Sequence, residues 1–206
     1  MHRIVAGVLG GRQLMPLPQS ISCVRPSSSR VRSAIFDRIQ TQGRGAIVLD
    51  LFAGSGALSI EALSRGAAKA TLVESSSDVV LFLGHQIERL SLRSQVELFL
   101  EDVEVHLARS ASRRYDLVLL DPPYARIGIY SRVAALLLRY GWLTPDAVVV
   151  VERNASGSSA ESRSYPSGFR IDASRRHGGT VVDFLSVRGV VDDGVSLGGV
   201  AEDTEG

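Results

Sequence analysis

The sequence predicts an α/β, Rossmann-like fold with a mostly parallel sheet and an antiparallel C-terminal hairpin. From residue 46 onward, strand patterns alternate with helical ones, which is typical of βαβ units with right-handed crossovers. Near the end, residues 169–174 and 180–187 read as strands with no room for a helix between them, so they must pair antiparallel. A small β-hairpin and a helix are predicted before the sheet.

Apolar periodicity predicts the elements in chain order. The N-terminal hairpin joins residues 4–6 and 13–15, and a serine-capped helix spans residues 29–40. The parallel strands are residues 46–52, 70–73, 95–100, 115–120 and 147–152. The helices between them are residues 57–65, 78–90, 103–110 and 129–140.

These elements divide the chain into an extension, residues 1–45, a main domain, residues 46–188, and a tail, residues 189–206. The extension carries seven arginines and a single acid, Asp37, so it is the part suited to a polyanion. The tail is acidic and Gly-rich with few large apolar residues, and we expect it to be disordered.

The composition indicates the cellular compartment in which the protein works. Cys23 is the only cysteine, which excludes an intramolecular disulfide and fits a reducing environment. No apolar run approaches the roughly 18 residues that a membrane span needs. The apolar start of the chain lacks a signal-peptide cleavage site. We therefore expect a cytoplasmic protein without a membrane partner.

The most informative motif is Asp121-Pro122-Pro123-Tyr124, directly after the apolar strand 115–120. Open α/β sheets bind ligands at the carboxyl ends of their strands. The two prolines fix the backbone and have no N–H to donate, so this corner offers a carboxylate, carbonyls and an aromatic ring. Such a corner suits a planar base with an exocyclic amine, although a simple strand-ending turn would use the same residues.

A second motif ends the first parallel strand, where Asp50 precedes a glycine-rich turn. The turn consists of Phe52, Ala53, Gly54, Ser55 and Gly56. Its glycines allow the backbone to approach a ligand closely. Ser59 stands where the dinucleotide fingerprint has a third glycine, and no phosphate-binding Lys follows. The Asp50 carboxylate would repel a pyrophosphate but would suit an ammonium group.

Two further acidic residues follow the next strands. Glu74 lies about 20 residues past the turn, where an acidic side chain binds ribose hydroxyls. Asp102, followed by Val103, ends the third strand and could reach an adenine amine. An ordinary polar strand end, or a solvated acidic turn, would look the same. Together the residues suit S-adenosylmethionine as the cofactor and methyl transfer to an amino nitrogen.

These motifs resemble known ones. Residues 50–56 resemble the first motif of class I methyltransferases, and residues 121–124 resemble their amino-methylating motif. The wider series resembles the RsmD family, in segments 3–7, 11–14, 25–36, 49–58, 61–67 and 120–124. The resemblance covers roughly residues 1–188. It implies a class I methyltransferase fold with a seven-stranded sheet, and methylation of guanine N2 in 16S ribosomal RNA, of the guanine-966 type.

The resemblance also assigns roles. It makes Asp121, Pro122, Pro123 and Tyr124 the catalytic residues. The RNA contacts would come from the extension, through Arg3, Arg12, Arg25, Arg30 and Arg32. It implies no metal, and a monomer acting on 16S rRNA or on an assembly intermediate of the small subunit. The first hairpin has Val8-Leu9 where relatives usually carry basic residues, which weakens the predicted RNA contact there.

Other functions remain open at this point. The amine could instead be adenine N6 in DNA or a protein glutamine, since the motif at Asp121 does not distinguish them. A non-catalytic RNA-binding module could retain the sheet without the chemistry. A dehydrogenase is disfavoured by the missing third glycine and by the C-terminal hairpin.

Overall fold

The computed structural model describes residues 3–19, 21, 28–123, 126, 128–155 and 165–188. Tyr124, Arg25 and the tail lie outside the described residues. The helices are α1 (Ser29–Arg38), α2 (Ala57–Ser64), α3 (Ser77–Arg89), α4 (Val103–Leu107) and α5 (Ile129–Arg139). The strands are β1 (Ile47–Leu51), β2 (Lys69–Glu74), β3 (Val96–Leu100), β4 (Tyr115–Leu120), β5 (Leu143–Asn154), β6 (Phe169–His177) and β7 (Thr180–Val187).

The strands form one seven-stranded sheet in the order β3-β2-β1-β4-β5-β7-β6. The first five strands pair in parallel, and β7 runs antiparallel to both β5 and β6. This confirms the predicted fold class. The chain moves outward from β1 in one direction through β2 and β3, and in the other from β4 through β5. The β1–β4 junction is therefore the switch point at which such sheets bind ligands.

The central strands β1 and β4 are buried on both faces, which explains their mainly apolar sequences, whereas the edge strand β6 is mostly exposed. Side chains of one strand alternate between the faces. In β4, Leu117 and Leu119 pack with the buried residues of α1, α2 and α3. Their neighbours Val118 and Leu120 pack with those of α4 and α5.

Most predicted boundaries hold, and β4 and β7 match the prediction in full. Strand β5 begins earlier than predicted, at Leu143, which pairs with Tyr115. Residues 144–147 of β5 then lie opposite Asp116 alone, before regular pairing resumes at Leu117 and Val148. Strand β6 continues to His177, which pairs with Thr180 across the turn. Helices α1 and α4 end two and three residues early, at Arg38 and Leu107.

The N-terminal hairpin differs from the prediction, since only one bridge, Arg3 with Gln13, forms between its arms. The Ile4 N–H of the first arm still donates to the Arg12 carbonyl at 3.0 Å, whereas the next two N–H groups have partners outside the hairpin. Val5 and Ala6 donate to the Glu61 carboxylate on α2, at 2.7 and 3.0 Å. The extension is therefore held by side chains of the main domain rather than by a β-ladder of its own.

Helix α2 is buried on every side. All eight of its residues are buried, Glu61 and Ser64 included. The extension covers the outer face, where the Leu9 N–H donates to Ser64 Oγ at 3.0 Å and the Val8 N–H to the Ser64 carbonyl at 2.8 Å. The polar residues of α2, Glu61 and Ser64, are thus buried because they form hydrogen bonds with the extension.

Candidate active site

The glycine-rich turn and the diproline corner start side by side. Strands β1 and β4 are neighbours, and Leu51 pairs with Leu120. Phe52 and Asp121 therefore leave the same edge of the sheet on strands about 4.8 Å apart. Asp121 is half-buried, Pro122 is buried and Pro123 is exposed. The two motifs thus meet at the switch point.

The backbone of the glycine-rich turn is left-handed at three positions. Phe52, Gly54 and Gly56 have φ of 66°, 52° and 71°. A Cβ on Gly56 would lie 2.7 Å from Leu83 Cδ2, so a larger residue here would have to displace that methyl group and still adopt the positive φ. The phenylalanine adopts a conformation that costs a non-glycine residue about 1 kcal/mol, as is common at ligand sites.

Glu74 is fixed beside this turn. Its Oε2 accepts from the Gly54 N–H at 3.1 Å, and its Oε1 accepts from the N–H groups of Ser75 and Ser76 at 2.8 and 3.0 Å. The carboxylate is half-buried at the carboxyl end of β2. The structure thus brings Glu74, which is predicted to bind the ribose hydroxyls, into direct contact with the glycine-rich turn.

Asp50 is buried and faces the start of α2. Its carboxyl accepts from the Ser59 hydroxyl and from the Ser59 backbone N–H. Because Gly56 has no side chain to cap the helix, Asp50 supplies that acceptor. Burial raises the Asp50 pKa to about 7, the Ser59 hydrogen bonds oppose this, and the nearby Glu74 charge adds to it. Ser59, which departs from the dinucleotide fingerprint, is therefore a partner of Asp50.

Asp102 caps the short helix α4 and binds an arginine that the sequence analysis missed. Its Oδ1 accepts from the Glu104 N–H at 2.8 Å, and the next residue, Val103, is buried. Arg126 donates to Asp102 Oδ2 at 3.1 Å and to Glu104 Oε2 at 2.8 Å. Its guanidinium carbon lies 5.5 Å from the centre of the Phe52 ring.

Arg126 therefore connects the segment after the diproline corner with two predicted cofactor residues, Phe52 and Asp102. The only signal in the sequence was an arginine shortly after Pro123. Its partners lie on β1 and α4, far away along the chain, so spacing alone could not identify them.

The predicted RNA contacts divide into two groups. Arg3, Arg12 and Arg30 are exposed, as a role in polyanion binding requires. Arg32 is fully buried, so the prediction that it faces RNA is wrong. Its Nη2 donates to the Arg3 carbonyl at 2.7 Å, beneath the extension. Burial lowers the Arg32 pKa, while the charges of Glu61 and Glu152 act in the opposite direction. Arg25 lies outside the described residues.

The described ranges contain no group of three or more His, Cys, Asp or Glu side chains that could hold a metal ion. A search of the same ranges finds no helix that is both long and apolar enough to cross a membrane.

The sheet order, the switch-point site and the final hairpin define a class I methyltransferase fold. A solved structure of the yhhF protein from Escherichia coli superposes with a TM-score of 0.79 at 30% identity, covering 90% of this chain and 97% of that one. Residues 2–186 match the family model described as Conserved hypothetical protein 95.

Two curated relatives carry the name Ribosomal RNA small subunit methyltransferase D. The one from Escherichia coli is 37% identical over 150 residues, covering 73% of each chain. The one from Haemophilus influenzae is 32% identical over 152 residues, covering 73% of this chain and 77% of the relative. The chain belongs to the ribosomal RNA small subunit methyltransferase D family.

Proposed function

We propose that this protein transfers a methyl group from S-adenosylmethionine to the exocyclic N2 of a guanine in 16S ribosomal RNA. The observation that carries the proposal is the pairing of β1 with β4, which starts the glycine-rich turn and the Asp121 corner at one edge. The relatives' names support ribosomal RNA of the small subunit as the substrate. Guanine 966 is the target that we expect.

The acidic side chains around the turn fit this cofactor. Glu74 would hold the ribose hydroxyls, and Asp102, with Val103, would lie at the adenine. Asp50 would face the ammonium group. The charge of Glu74 already raises the pKa of Asp50, so a cation placed near both carboxyls would relieve their repulsion. S-adenosylmethionine brings two cationic groups, whereas the pyrophosphate of a dinucleotide would add repulsion.

The diproline corner would bind the target amine. Asp121 and the Pro122 carbonyl both accept hydrogen bonds, and neither proline has an N–H that could compete. The lone pair of guanine N2 is delocalised into the ring, so the free amine is a poor nucleophile. Hydrogen bonds from its two N–H groups to Asp121 and to the Pro122 carbonyl would favour a pyramidal nitrogen whose lone pair is directed away from the corner. Positioning and electrostatics would supply most of the rate enhancement.

The transfer would be a direct in-line displacement. When bound, the cofactor's sulfonium supplies the methyl group and is left as a neutral thioether. The new carbon–nitrogen bond forms while the carbon–sulfur bond breaks, and the nitrogen then loses its extra proton, for which Asp121 is the nearest proposed acceptor. Tyr124 would stack on the guanine after it leaves its helix, as base-modifying enzymes require.

RNA binding would involve the exposed Arg3, Arg12 and Arg30, together with Arg25. Their contribution should fall steeply as salt rises, because phosphate contacts release counterions. We propose that a monomer acts in the cytoplasm on 16S rRNA or on an assembly intermediate of the small subunit, where this substrate occurs.

The test is transfer of labelled methyl groups to 16S RNA, and to small subunits from a strain that lacks the enzyme. Asp121→Ala should lower kcat by about a hundredfold or more and leave cofactor affinity unchanged. The matched control is Asp146→Ala, which removes an exposed carboxylate near the amino end of β5 and should keep full activity. Full activity of Asp121→Ala would overturn the assignment of the corner.

Digestion of the labelled product to nucleosides tests the target atom. We expect N2-methylguanosine from wild-type RNA, and no label in RNA whose guanine 966 is replaced by adenine. Label recovered as N6-methyladenine or as methylated glutamine would instead favour the other amines that this motif could bind.

A further inference from the structure

We propose that the turn joining β6 and β7 forms a second RNA-backbone contact, in which Arg175 and Arg176 bind phosphates beside the target nucleotide. This inference rests on the proposed RNA substrate. It adds a surface about three strands away from the catalytic corner, at the opposite end of the sheet from β3.

The sheet register places this turn at the catalytic edge. Leu120 of β4 pairs with Val151 of β5, and Asn154, three residues later, pairs with Thr180 at the start of β7. Thr180 pairs in turn with His177 at the end of β6. The turn at Gly178 therefore lies at the carboxyl ends of the parallel strands, which is the end of the sheet from which Asp121 leaves β4. Three strand spacings correspond to about 14 Å between β4 and β6.

The turn is exposed and strongly basic. Arg175 and Arg176 are both exposed, and Cβ atoms on Gly178 and Gly179 would meet nothing within 4 Å. Each guanidinium makes one described contact, to the Ser174 and the Gly178 carbonyl respectively. An arginine offers five N–H donors in a planar fork, which suits bidentate phosphate binding.

Acidic groups close to the turn are already paired. Asp172 accepts from Arg170 at 2.7 Å, and the buried Asp183 accepts from Arg153 at 2.7 Å and from the Tyr165 hydroxyl at 3.0 Å. Within the part of the chain that the structure describes, Arg175 and Arg176 therefore form no ion pair. A polyanion complements this surface.

The surface also has room for a nucleotide. A cavity of about 400 Å³ lies beside the β6–β7 turn, on the face towards α5, where Val181 and the ion pair of Arg153 with Asp183 form part of its lining. Ser174, Arg176 and the exposed Ile171 are among its lining residues. This combination of a hydroxyl, a guanidinium and an apolar side chain fits the ribose and phosphate of a single-stranded segment. Strand β6 is also the edge of the sheet and presents backbone groups to solvent.

Helix α1 directs a further arginine to the same edge. Near its start, Arg32 lies within the electrostatic range of Glu152. At its end, Arg38 lies 5.1 Å from the ring of Phe184, which pairs with Val150, two residues before Glu152. Helix α1 therefore starts near the carboxyl ends of the parallel strands, and Arg30 in its first turn lies at that end of the sheet. Because α1 packs on one face of the sheet and the cavity lies on the other, the proposed surface continues the RNA contact of α1 around the carboxyl ends of the strands.

The test compares two double variants in RNA binding and methyl transfer. Arg175→Ala/Arg176→Ala should bind a 16S RNA fragment roughly tenfold more weakly at low salt and lower the slope of log Kd against log salt by about 1.4. The matched control, Arg89→Ala/Arg93→Ala, removes two exposed arginines from the opposite edge and should behave as wild type. Cofactor affinity and thermal stability should not change in either variant.

The outcomes separate this inference from the proposed function. If the Arg175/Arg176 variant keeps the wild-type affinity and salt slope while wild type methylates RNA, only the second contact is wrong. If it binds naked RNA normally but loses activity on ribosomal particles, the edge strand contacts a protein, and the inference is overturned. Failure of wild type to methylate RNA would instead refute the proposed function.

Discussion

At the residue scale, Asp50 links the fold to the proposed chemistry. Its carboxyl is buried, holds the start of α2 through Ser59, and lies near Glu74. A carboxyl with a raised pKa keeps its proton in the folded state at a pH where the unfolded chain has released it. Its stabilising contribution is complete below about pH 4 and is lost as the pH rises through about 7.

Asp50→Asn should therefore remove a pH dependence of the free energy of unfolding. Between pH 4 and 7 wild type should lose more stability than the variant, by up to about 4 kcal/mol, because the asparagine cannot ionise. Urea unfolding at several pH values measures this difference. Parallel curves for the two proteins would show that the carboxyl titrates near its ordinary value in the folded state.

Gly56 is the residue that the turn can least replace. Gly56→Ala would bring a Cβ within 2.7 Å of Leu83 and require a positive φ from alanine. We expect a loss of about 2–4 kcal/mol in stability and a marked loss of cofactor affinity. Thermal unfolding and calorimetric titration measure the two effects. Gly84→Ala is the control, because a Cβ there meets nothing within 4 Å and the site lies within α3.

At the element scale, the extension is attached to the main domain by buried polar side chains. Glu61 accepts from two backbone N–H groups of the extension and also binds the Arg65 guanidinium at 2.8 Å. On α3, Gln86 accepts from the Met15 N–H at 2.9 Å. These contacts place the exposed arginines of the extension on the domain that carries the site.

Glu61→Ala should loosen the extension. It leaves the Val5 and Ala6 N–H groups without their acceptor, which costs about 2–4 kcal/mol in local stability. Hydrogen exchange at these two amides should accelerate, and RNA affinity should fall while cofactor affinity stays the same. Glu61→Gln should give an intermediate result, since its amide offers only one oxygen. Unchanged exchange in the alanine variant would show that packing alone holds the extension.

At the scale of the whole molecule, the proposed cofactor site joins the ends of four neighbouring strands. Phe52, Glu74, Asp102 and Asp121 follow or end β1, β2, β3 and β4, which lie side by side in the sheet. A ligand bound across these ends should stabilise the domain as a unit.

S-adenosylmethionine at a hundredfold excess over its Kd should stabilise the protein by about 2.7 kcal/mol and raise Tm by roughly 5–10 °C. NAD at the same concentration should not, because the acidic turn would repel its pyrophosphate. Differential scanning calorimetry measures both shifts, and the Asp121→Ala protein should show the same shift with S-adenosylmethionine as wild type. A shift with NAD alone would indicate a different class of enzyme.

Elements with strong local patterns could be predicted from the sequence. The strands β4 and β7 are largely apolar, although Asp116 interrupts the first and Asp183 the second, and both boundaries of each strand match. Ser28 accepts from the Val31 N–H, as its place before the first helix indicated. Elements whose ends depend on distant partners were less predictable, since the early start of β5 depends on the pairing of Leu143 with Tyr115 of β4 across an irregular stretch.

The sequence by itself determined the order of the elements, the parallel sheet with its closing hairpin, and the positions of the two loops that follow β1 and β4, because these depend on periodicity and on neighbouring residues. The tertiary structure decided which polar groups face solvent. Arg32 falls off the apolar stripe of its helix yet is buried, and Arg126 binds residues of β1 and α4. Such partners are far apart in the chain, and only the packing of the elements brings them together.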